Sequence, residues 1–271
     1  MKKALTGVSN NVTKNIDKIK VWANSFKKHV KDGKVVLIAA DMTDEDRNVL
    51  RLNDIKFHEI ESDPGLTIND SRLIHTANWI ENSPYDLFMV TDVFDVCFQA
   101  DPFEMFDHHD FYAASEGLIH TEEAWNLDVM NKAFPEYVDF IKSYEIVCSG
   151  VMGGRKDILV KTLRMQQELV DNALHGHDIR DQAALNILIY KDLISNYKIF
   201  KPNDGWAVHC ALSGPTFETD AWGLDKIHVN RYGLPLIDGN ILKNPNGLVF
   251  KIAHQYNRIP EWNEKITKQY V

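Results

Sequence analysis

Two carboxylates stand at the point where an apolar strand is expected to leave a sheet. The run 87–90 is apolar, and Asp92 and Asp95 follow it directly. Open α/β sheets bind their ligands at the carboxyl ends of their strands. Carboxylate oxygens at such a place are hard ligands, which suit a divalent metal ion that holds phosphate. The pattern therefore predicts metal-assisted chemistry on a nucleotide.

The residues that lead to these carboxylates alternate between strand and helix patterns. Strands are predicted over residues 3–9, 34–40, 56–60 and 87–90, and helices over residues 12–30, 43–53 and 69–82. The strand runs are apolar or alternating, whereas the helical segments repeat apolar residues at helical spacing. Such alternation is typical of the α/β class, with a mostly parallel central sheet flanked by helices.

The pattern becomes less regular after residue 103. Strands are predicted over residues 109–115 and 146–152, the second closed by Gly153 and Gly154, and helices over residues 122–144 with a break at Pro135, 158–174 and 180–190. The tail after residue 196 is rich in turn residues and carries short strands. Because no linker or internal repeat divides the chain, we predict a single domain, 1–271, with a C-terminal lobe.

Composition argues against several classes of protein. The 271 residues carry a formal net charge of −9, whereas nucleic-acid binders normally present a basic face. No run reaches the roughly 18 apolar residues of a transmembrane helix. Cys97, Cys148 and Cys210 are odd in number and far apart, which predicts reduced thiols and a cytoplasmic location. The glycine motifs of dinucleotide oxidoreductases and P-loop kinases do not occur.

Four patches of the sequence carry a resemblance to a known family. They are Thr91-Asp-Val-Phe-Asp95, Cys148-Ser-Gly-Val-Met-Gly-Gly154, Asp181-Gln-Ala-Ala-Leu-Asn186 and His254-Gln-Tyr-Asn-Arg258. In this order they resemble motifs of the GT-A fold glycosyltransferases, which use nucleotide-diphospho-sugars. The first patch is similar to the family's Asp-x-Asp motif with one extra residue. The resemblance implies a Rossmann-like GT-A fold, in which residues 1–103 bind the nucleotide-sugar and residues 104–271 bind the acceptor.

The same resemblance implies a metal site for Mn²⁺ or Mg²⁺. Asp95 and His254 would be metal ligands. Asp92 would be either a further ligand or a contact to the nucleotide ribose, because the extra residue in the motif leaves both roles open. An imidazole, carboxylate oxygens and two diphosphate oxygens can together make the octahedral shell that these ions prefer.

Four other residues are expected to contact the nucleotide-sugar. Thr6, Gly7 and Val8 close the first predicted strand, where the base and ribose lie in the GT-A fold, and the absent side chain of Gly7 permits a close approach. Arg72 resembles an arginine that faces the nucleotide or its diphosphate in related enzymes.

The remaining candidates concern the acceptor and the proton transfer. Asp181 and Gln182 begin a predicted helix, and with Ser149 and Gly150 they are candidates to bind sugar or acceptor hydroxyls. Asp181 is also the first candidate for the base that takes the acceptor proton. Glu116, which follows a predicted strand, is the second.

Aromatic and histidine residues supply weaker signals. Of Trp125, Trp206 and Trp222, we expect Trp206 to be the best platform for a sugar face, because it lies in a turn. The pairs His108-His109 and His175-Gly-His177 have ligand-like side chains, but each lies in a polar turn, which predicts solvated loops.

The sequence therefore predicts a metal-dependent glycosyltransferase. Its donor would be a nucleotide-diphospho-sugar, with UDP as the expected nucleotide, and its acceptor a saccharide or glycoconjugate. Two alternatives remain. A nucleotidyltransferase or sugar-nucleotide pyrophosphorylase shares a similar sheet but usually begins with a glycine-rich basic loop, and a non-catalytic sugar-binding module would keep the fold without turnover.

Overall fold

Runs of apolar residues form the strands, and amphipathic segments cover them as helices. The computed structural model describes residues 1–63, 65–174, 179–210 and 225–271. The strands are β1 (Lys3–Ser9), β2 (Lys34–Ala40), β3 (Lys56–Ile60), β4 (Leu87–Thr91), β5 (Val96–Phe98), β6 (Phe111–Ile119), β7 (Glu145–Arg155), β8 (Tyr197–Phe200), β9 (Ala207–His209), β10 (Leu236–Asp238), β11 (Ile241–Lys243) and β12 (Ile252–His254). The α-helices are α1 (Ile16–His29), α2 (Asp44–Leu52), α3 (Ile68–Asn82), α4 (Ala124–Ala133), α5 (Val138–Ile141), α6 (Lys156–Asn172), α7 (Asp181–Tyr190), α8 (Lys226–Tyr232) and α9 (Pro260–Tyr270).

The central sheet has the strand order β3-β2-β1-β4-β7-β6-β8 among the described residues. Every neighbouring pair is parallel except the two pairs that involve β7, so a single reversed strand lies within a mostly parallel sheet. All five residues of β4 are buried, because both faces of the sheet are covered. The predicted fold class is confirmed.

A hydrogen bond from α1 holds the end of β4. Trp22 of α1 is fully buried, and its indole Nε1 donates a hydrogen bond of 2.8 Å to the Thr91 hydroxyl. Because a buried polar group left unpaired is costly, this bond favours one position for the last residue of β4. The chain then leaves the sheet at Asp92.

A second, three-stranded sheet has the order β5-β12-β9. Its register pairs His254 with Val96 on one side and with His209 on the other. Since Val96 directly follows Asp95, the register brings His254 from the C-terminal region beside the Asp92–Asp95 turn. A short sheet thus joins segments that are far apart in sequence.

The predicted bounds of β1, β2 and β3 are confirmed, as is the capped helix after Thr43. Other bounds differ: the strand predicted over residues 109–115 is β6, and the helices predicted over residues 12–30 and 158–174 are α1 and α6, each with shifted ends. Two further differences have a clear physical reason. Strand β7 does not close at Gly153 and Gly154 but continues to Arg155, and a Cβ on Gly153 would lie 2.6 Å from the ring of Phe106, so this glycine provides packing room. The helix predicted over residues 122–144 is divided into α4, a 3₁₀ turn and α5, because Pro135 begins a new turn.

The three cysteines are buried and unbridged, as the sequence predicted. Among the helices of the described ranges, none combines the length and apolarity that a membrane-crossing helix needs.

Candidate active site

The predicted metal ligands meet where β4 leaves the sheet. Ligand atoms of Asp92, Asp95 and His254 all lie within 4.8 Å of one another. The His254 Nε2 atom lies 3.2 Å from Asp92 Oδ2 and 3.7 Å from Asp95 Oδ1. Val93 and Phe94 therefore turn the chain enough to bring both carboxylates to one side. Two carboxylates and an imidazole form a donor set that fits Mn²⁺ or Mg²⁺.

The pKa values of Asp92, Asp95 and His254 depend on the charges of one another. Burial alone would raise the pKa of Asp92, but Arg72 and His254 outweigh burial and hold this pKa well below its usual value. Burial raises the pKa of Asp95, and the charge of Asp92 adds to that rise. Burial would lower the pKa of His254, yet the neighbouring Cys148, Asp95 and Asp92 raise it well above its usual value. Acidic oxygens thus stabilise positive charge at this point, which is the property that a cation site requires.

Gly150 of β7 allows the three groups to converge. Its carbonyl accepts a hydrogen bond of 2.9 Å from the Asp92 backbone N–H, which continues the pairing of β4 with β7. A Cβ atom on Gly150 would lie 2.6 Å from Asp92 Oδ2 and 2.7 Å from His254 Cε1. A Cβ atom does not make nonbonded contacts this short, so a side chain here would displace the ligands. The glycine is needed for space beside the ligands.

Arg72 of α3 joins the metal triad to the start of α7. Its guanidinium donates to the Asp92 carboxylate and, over 2.5 Å, to Asp181 Oδ2. The Ser149 hydroxyl donates to the same Asp181 oxygen over 3.0 Å. Asp181 is almost fully buried, and its other oxygen accepts from the Gln182 N–H. This carboxylate is therefore fully engaged in protein contacts.

A buried ion pair fixes the two helices that carry these residues. The Arg180 side chain donates to Asp70 of α3 from Nε and Nη2, and its backbone N–H donates to the same carboxylate, all at 2.9 Å. Both side chains are almost fully buried, so loss of one partner would leave an uncompensated charge. The pair holds Arg72 opposite Asp181.

A second group of polar residues adjoins Ser149 and the start of α7. Gln182 Nε2 donates to Glu116 Oε1 over 3.1 Å and to Asn126 Oδ1 over 2.9 Å, and its Oε1 accepts from the Ser149 N–H. Burial, with the nearby charge of Glu123, raises the pKa of Glu116 to about 7. Glu116 is thus a carboxyl group poised to exchange a proton near neutral pH.

Asp92 and His254 of the triad and this second polar group line a common cavity of about 340 Å³. This volume is within the range of roughly 300–1,000 Å³ that is usual for small-molecule sites. Its lining is mostly polar and comprises Asn69, Arg72, Asp92, Glu116, Glu123, Trp125, Asn126, Cys148, Ser149, Gly150, Ile179, Asp181, Gln182, His254, Gln255 and Arg258. Eight of the residues selected from the sequence are among them, and Asp95 lies next to His254.

Besides Asp95, four of the selected residues lie outside this cavity lining. Thr6 is fully buried in β1, and the missing side chain of Gly7 leaves room for the Thr91 carbonyl and the Val93 side chain. Val8 is half-buried beyond them at the same edge of the sheet. Trp206 is fully buried, stacks on Phe200 and donates to the Pro102 carbonyl over 3.2 Å. Its ring has no exposed face for a sugar in this structure, because packing in the core covers it.

Sequence reasoning missed several residues of the cavity. Trp125, which we expected to be a poorer sugar platform than Trp206, lines the cavity. Glu123 and Asn126 at the start of α4 line it as well. Arg258 also lines it and belongs to the C-terminal patch that contains His254, so position in that patch was an available signal. Gln255 adopts a left-handed backbone with φ of 57°, which no sequence pattern indicated.

The other histidine groups do not contribute to this cavity in the described residues. His108 and His109 form an exposed or half-exposed group with Asp107, as predicted for a solvated loop. The pair at 175–177 and Trp222 lie outside the described residues.

Substitution of Gly150 by alanine tests the crowding at the triad. Because the new Cβ must push Asp92 or His254 aside, we expect Mn²⁺ affinity to fall by about tenfold or more. Free Mn²⁺ can be followed by electron paramagnetic resonance during titration. Gly153→Ala is the matched control, because Gly153 lies in the same strand and its new Cβ would crowd Phe106 instead of the ligands. It should lower the free energy of unfolding in urea and leave Mn²⁺ affinity unchanged. Equal Mn²⁺ affinities for wild type and Gly150→Ala would contradict the assignment.

Comparison with known proteins supports the fold. No protein-family model matches this sequence, and a search of curated proteins finds no match either. Among solved structures, the galactosyltransferase LgtC in complex with donor and acceptor sugar analogues superposes with a TM-score of 0.57, covering 98% of this chain and 95% of that chain at 14% sequence identity. An active-site mutant of LgtC gives a TM-score of 0.52, covering 93% and 86% at 12% identity. The chain thus has the Rossmann-like GT-A fold.

Proposed function

We propose that this protein is a metal-dependent glycosyltransferase that moves a sugar from a nucleotide-diphospho-sugar, with UDP as the nucleotide, to a saccharide or glycoconjugate acceptor. One observation carries the proposal. Asp92, Asp95 and His254 converge at the carboxyl end of β4, at the edge of a polar cavity on a GT-A fold. The likeness to LgtC, whose structure was solved with donor and acceptor sugar analogues, is consistent with it.

The triad end of the cavity suits the diphosphate of a donor. Asp92, Asp95 and His254 would hold Mn²⁺ or Mg²⁺. When bound, such an ion acts as a Lewis acid that neutralises the negative charge of a departing diphosphate. Arg258 lies exposed at the same end, close enough for its charge to lower the pKa of Asp95, and it forms no salt bridge with the described residues. Its guanidinium is therefore free to bind phosphate oxygens.

The polar group around Gln182 suits the hydroxyl groups of an acceptor. Glu116 supplies a carboxylate that accepts hydrogen bonds, and Gln182 and Asn126 supply amides that both donate and accept them. Trp125 adds an aromatic ring to the lining, on which the apolar face of a sugar can pack. Polar groups beside one aromatic ring are typical of a carbohydrate site.

Glu116 is the better of the two proposed bases. Asp181 is held by Arg72, Ser149 and its own helix start, so it serves to position these groups. Glu116 is held by fewer contacts and has a pKa of about 7, which suits proton transfer at neutral pH. We assign it the role of taking the proton from the acceptor hydroxyl.

A donor panel tests the proposed function. We expect slow, Mn²⁺-dependent nucleotide release from at least one UDP-sugar, because the metal site activates the diphosphate even when water is the acceptor. Asp95→Asn should weaken Mn²⁺ binding by about tenfold or more and suppress release, whereas Asp107→Asn, in the exposed loop, should change neither. Exchange that depends on pyrophosphate would instead show a nucleotidyltransferase, and binding of sugars without release would show a non-catalytic module.

The pH dependence of transfer tests Glu116. A base acts when ionised, so kcat/KM at saturating Mn²⁺ should rise with pH and level off above about 7. The groups that face Glu116 are Glu123, Cys148, Gln182 and the charge of His254. Glu116→Gln should lower kcat by about 10²–10⁴-fold and remove the rise near neutral pH.

Glu122→Gln is the matched control for this variant. Glu122 pairs with Arg231 outside the cavity lining, so the substitution should leave the pH profile unchanged. A wild-type profile in Glu116→Gln would exclude Glu116 as the base.

A further inference from the structure

Two buried histidines face each other behind the metal triad. His254 of β12 and His209 of β9 are register partners, and their Nδ1 atoms lie 2.9 Å apart. Both side chains are about 95% buried or more, with exposures of 3% and 5%. Two ring nitrogens form a hydrogen bond only if one carries a proton and the other a lone pair. The direction of this bond is therefore a property that can be worked out.

The position of the triad decides the direction. His254 Nε2 faces Asp92 and Asp95, so binding of a metal ion there requires a lone pair on Nε2 and places the ring proton on Nδ1. His254 then donates, and His209 Nδ1 must accept. His209 is almost fully buried, and its Nδ1 accepts because that nitrogen is the one that faces the donating Nδ1 of His254.

Cys148 is a weaker alternative partner for His254 Nδ1. Its Sγ atom lies 3.5 Å from this nitrogen. Sulfur is a weak hydrogen-bond acceptor. His209 is thus the principal acceptor.

The consequence appears on the far side of His209. A neutral His209 that accepts at Nδ1 carries its proton on Nε2, and this buried atom has no partner among the described residues. The Nδ1 atom of buried His228 also has none among them. Both histidines line a cavity of about 10 Å³, close to the space of one water molecule. Buried polar groups with no protein partner are normally satisfied by such a water.

We propose that His209 is a positioning residue, which fixes the His254 tautomer with Nε2 directed to the metal, and that one buried water accepts from His209 Nε2 and donates to His228 Nδ1. The inference rests on the proposed function only for the role of His254 in metal binding. With a metal ion on Nε2, His254 carries its proton on Nδ1, and His209 must carry its own proton on Nε2.

The tautomer can be read by ¹⁵N nuclear magnetic resonance of histidine-labelled protein saturated with Mg²⁺, which is diamagnetic. We expect His209 to show a protonated Nε2 and an unprotonated Nδ1. A protonated Nδ1 on His209 would overturn the proposal. A high-resolution crystal structure should show one water between His209 and His228, and a protein group in that place would remove the water from the account.

Metal affinity separates positioning from a merely structural role. His209→Leu removes the acceptor, and we expect Mn²⁺ affinity to fall by about 10–100-fold. His209→Asn places an amide oxygen where Nδ1 lies and should restore most of the affinity. His120→Leu is the matched control, because His120 is similarly buried but its Nδ1 donates to the Tyr144 carbonyl, outside the cavity lining; it should leave Mn²⁺ affinity unchanged.

The outcomes distinguish this inference from the proposed function. Unchanged Mn²⁺ affinity in a folded His209→Leu protein would overturn the positioning role. If wild type binds neither Mn²⁺ nor Mg²⁺, the proposed metal-dependent function fails, and the positioning role fails with it. The crystal structure still decides whether a water lies between His209 and His228.

Discussion

The convergence of two carboxylates on one imidazole is the constraint on which the site depends. Asp92 and Asp95 repel each other, and burial increases the cost of their charges. Arg72 and His254 offset that cost from two different directions. Because the acidic oxygens are held together by the fold, a cation is favoured at this point. The proposed binding of a diphosphate at this end of the cavity depends on the same geometry.

The fold meets this constraint with a few long-range contacts. The register of β12 against β5 places His254 beside Asp95, and β9 adds His209 behind it. Trp22 holds the end of β4, and Gly150 of β7 leaves the space that the ligands occupy. The polar group around Gln182 at the start of α7 is linked to the triad, because Gln182 bonds Ser149 and Asp181, and Arg72 bonds both Asp181 and Asp92. One connected network of polar groups thus lines the cavity.

Local patterns were sufficient to predict much of this arrangement. The bounds of β1, β2 and β3 follow from apolar runs, and the triad follows from motif resemblance. What failed depends on distant packing partners. Gly153 was read as a strand end because the sequence does not show the ring of Phe106 that needs its space. Trp206 was preferred over Trp125 as a sugar platform because it lies in a turn. In the structure Trp206 is buried against Phe200 and does not line the cavity.

The most direct test of the central claim is a crystal structure with Mn²⁺ and UDP, recorded with anomalous scattering at the manganese edge. The account predicts one manganese peak in contact with Asp95 and His254 and with oxygens of the diphosphate. The same map would show whether Asp92 contacts the metal or the ribose. A diphosphate bound elsewhere, or a manganese peak away from these two side chains, would contradict the account.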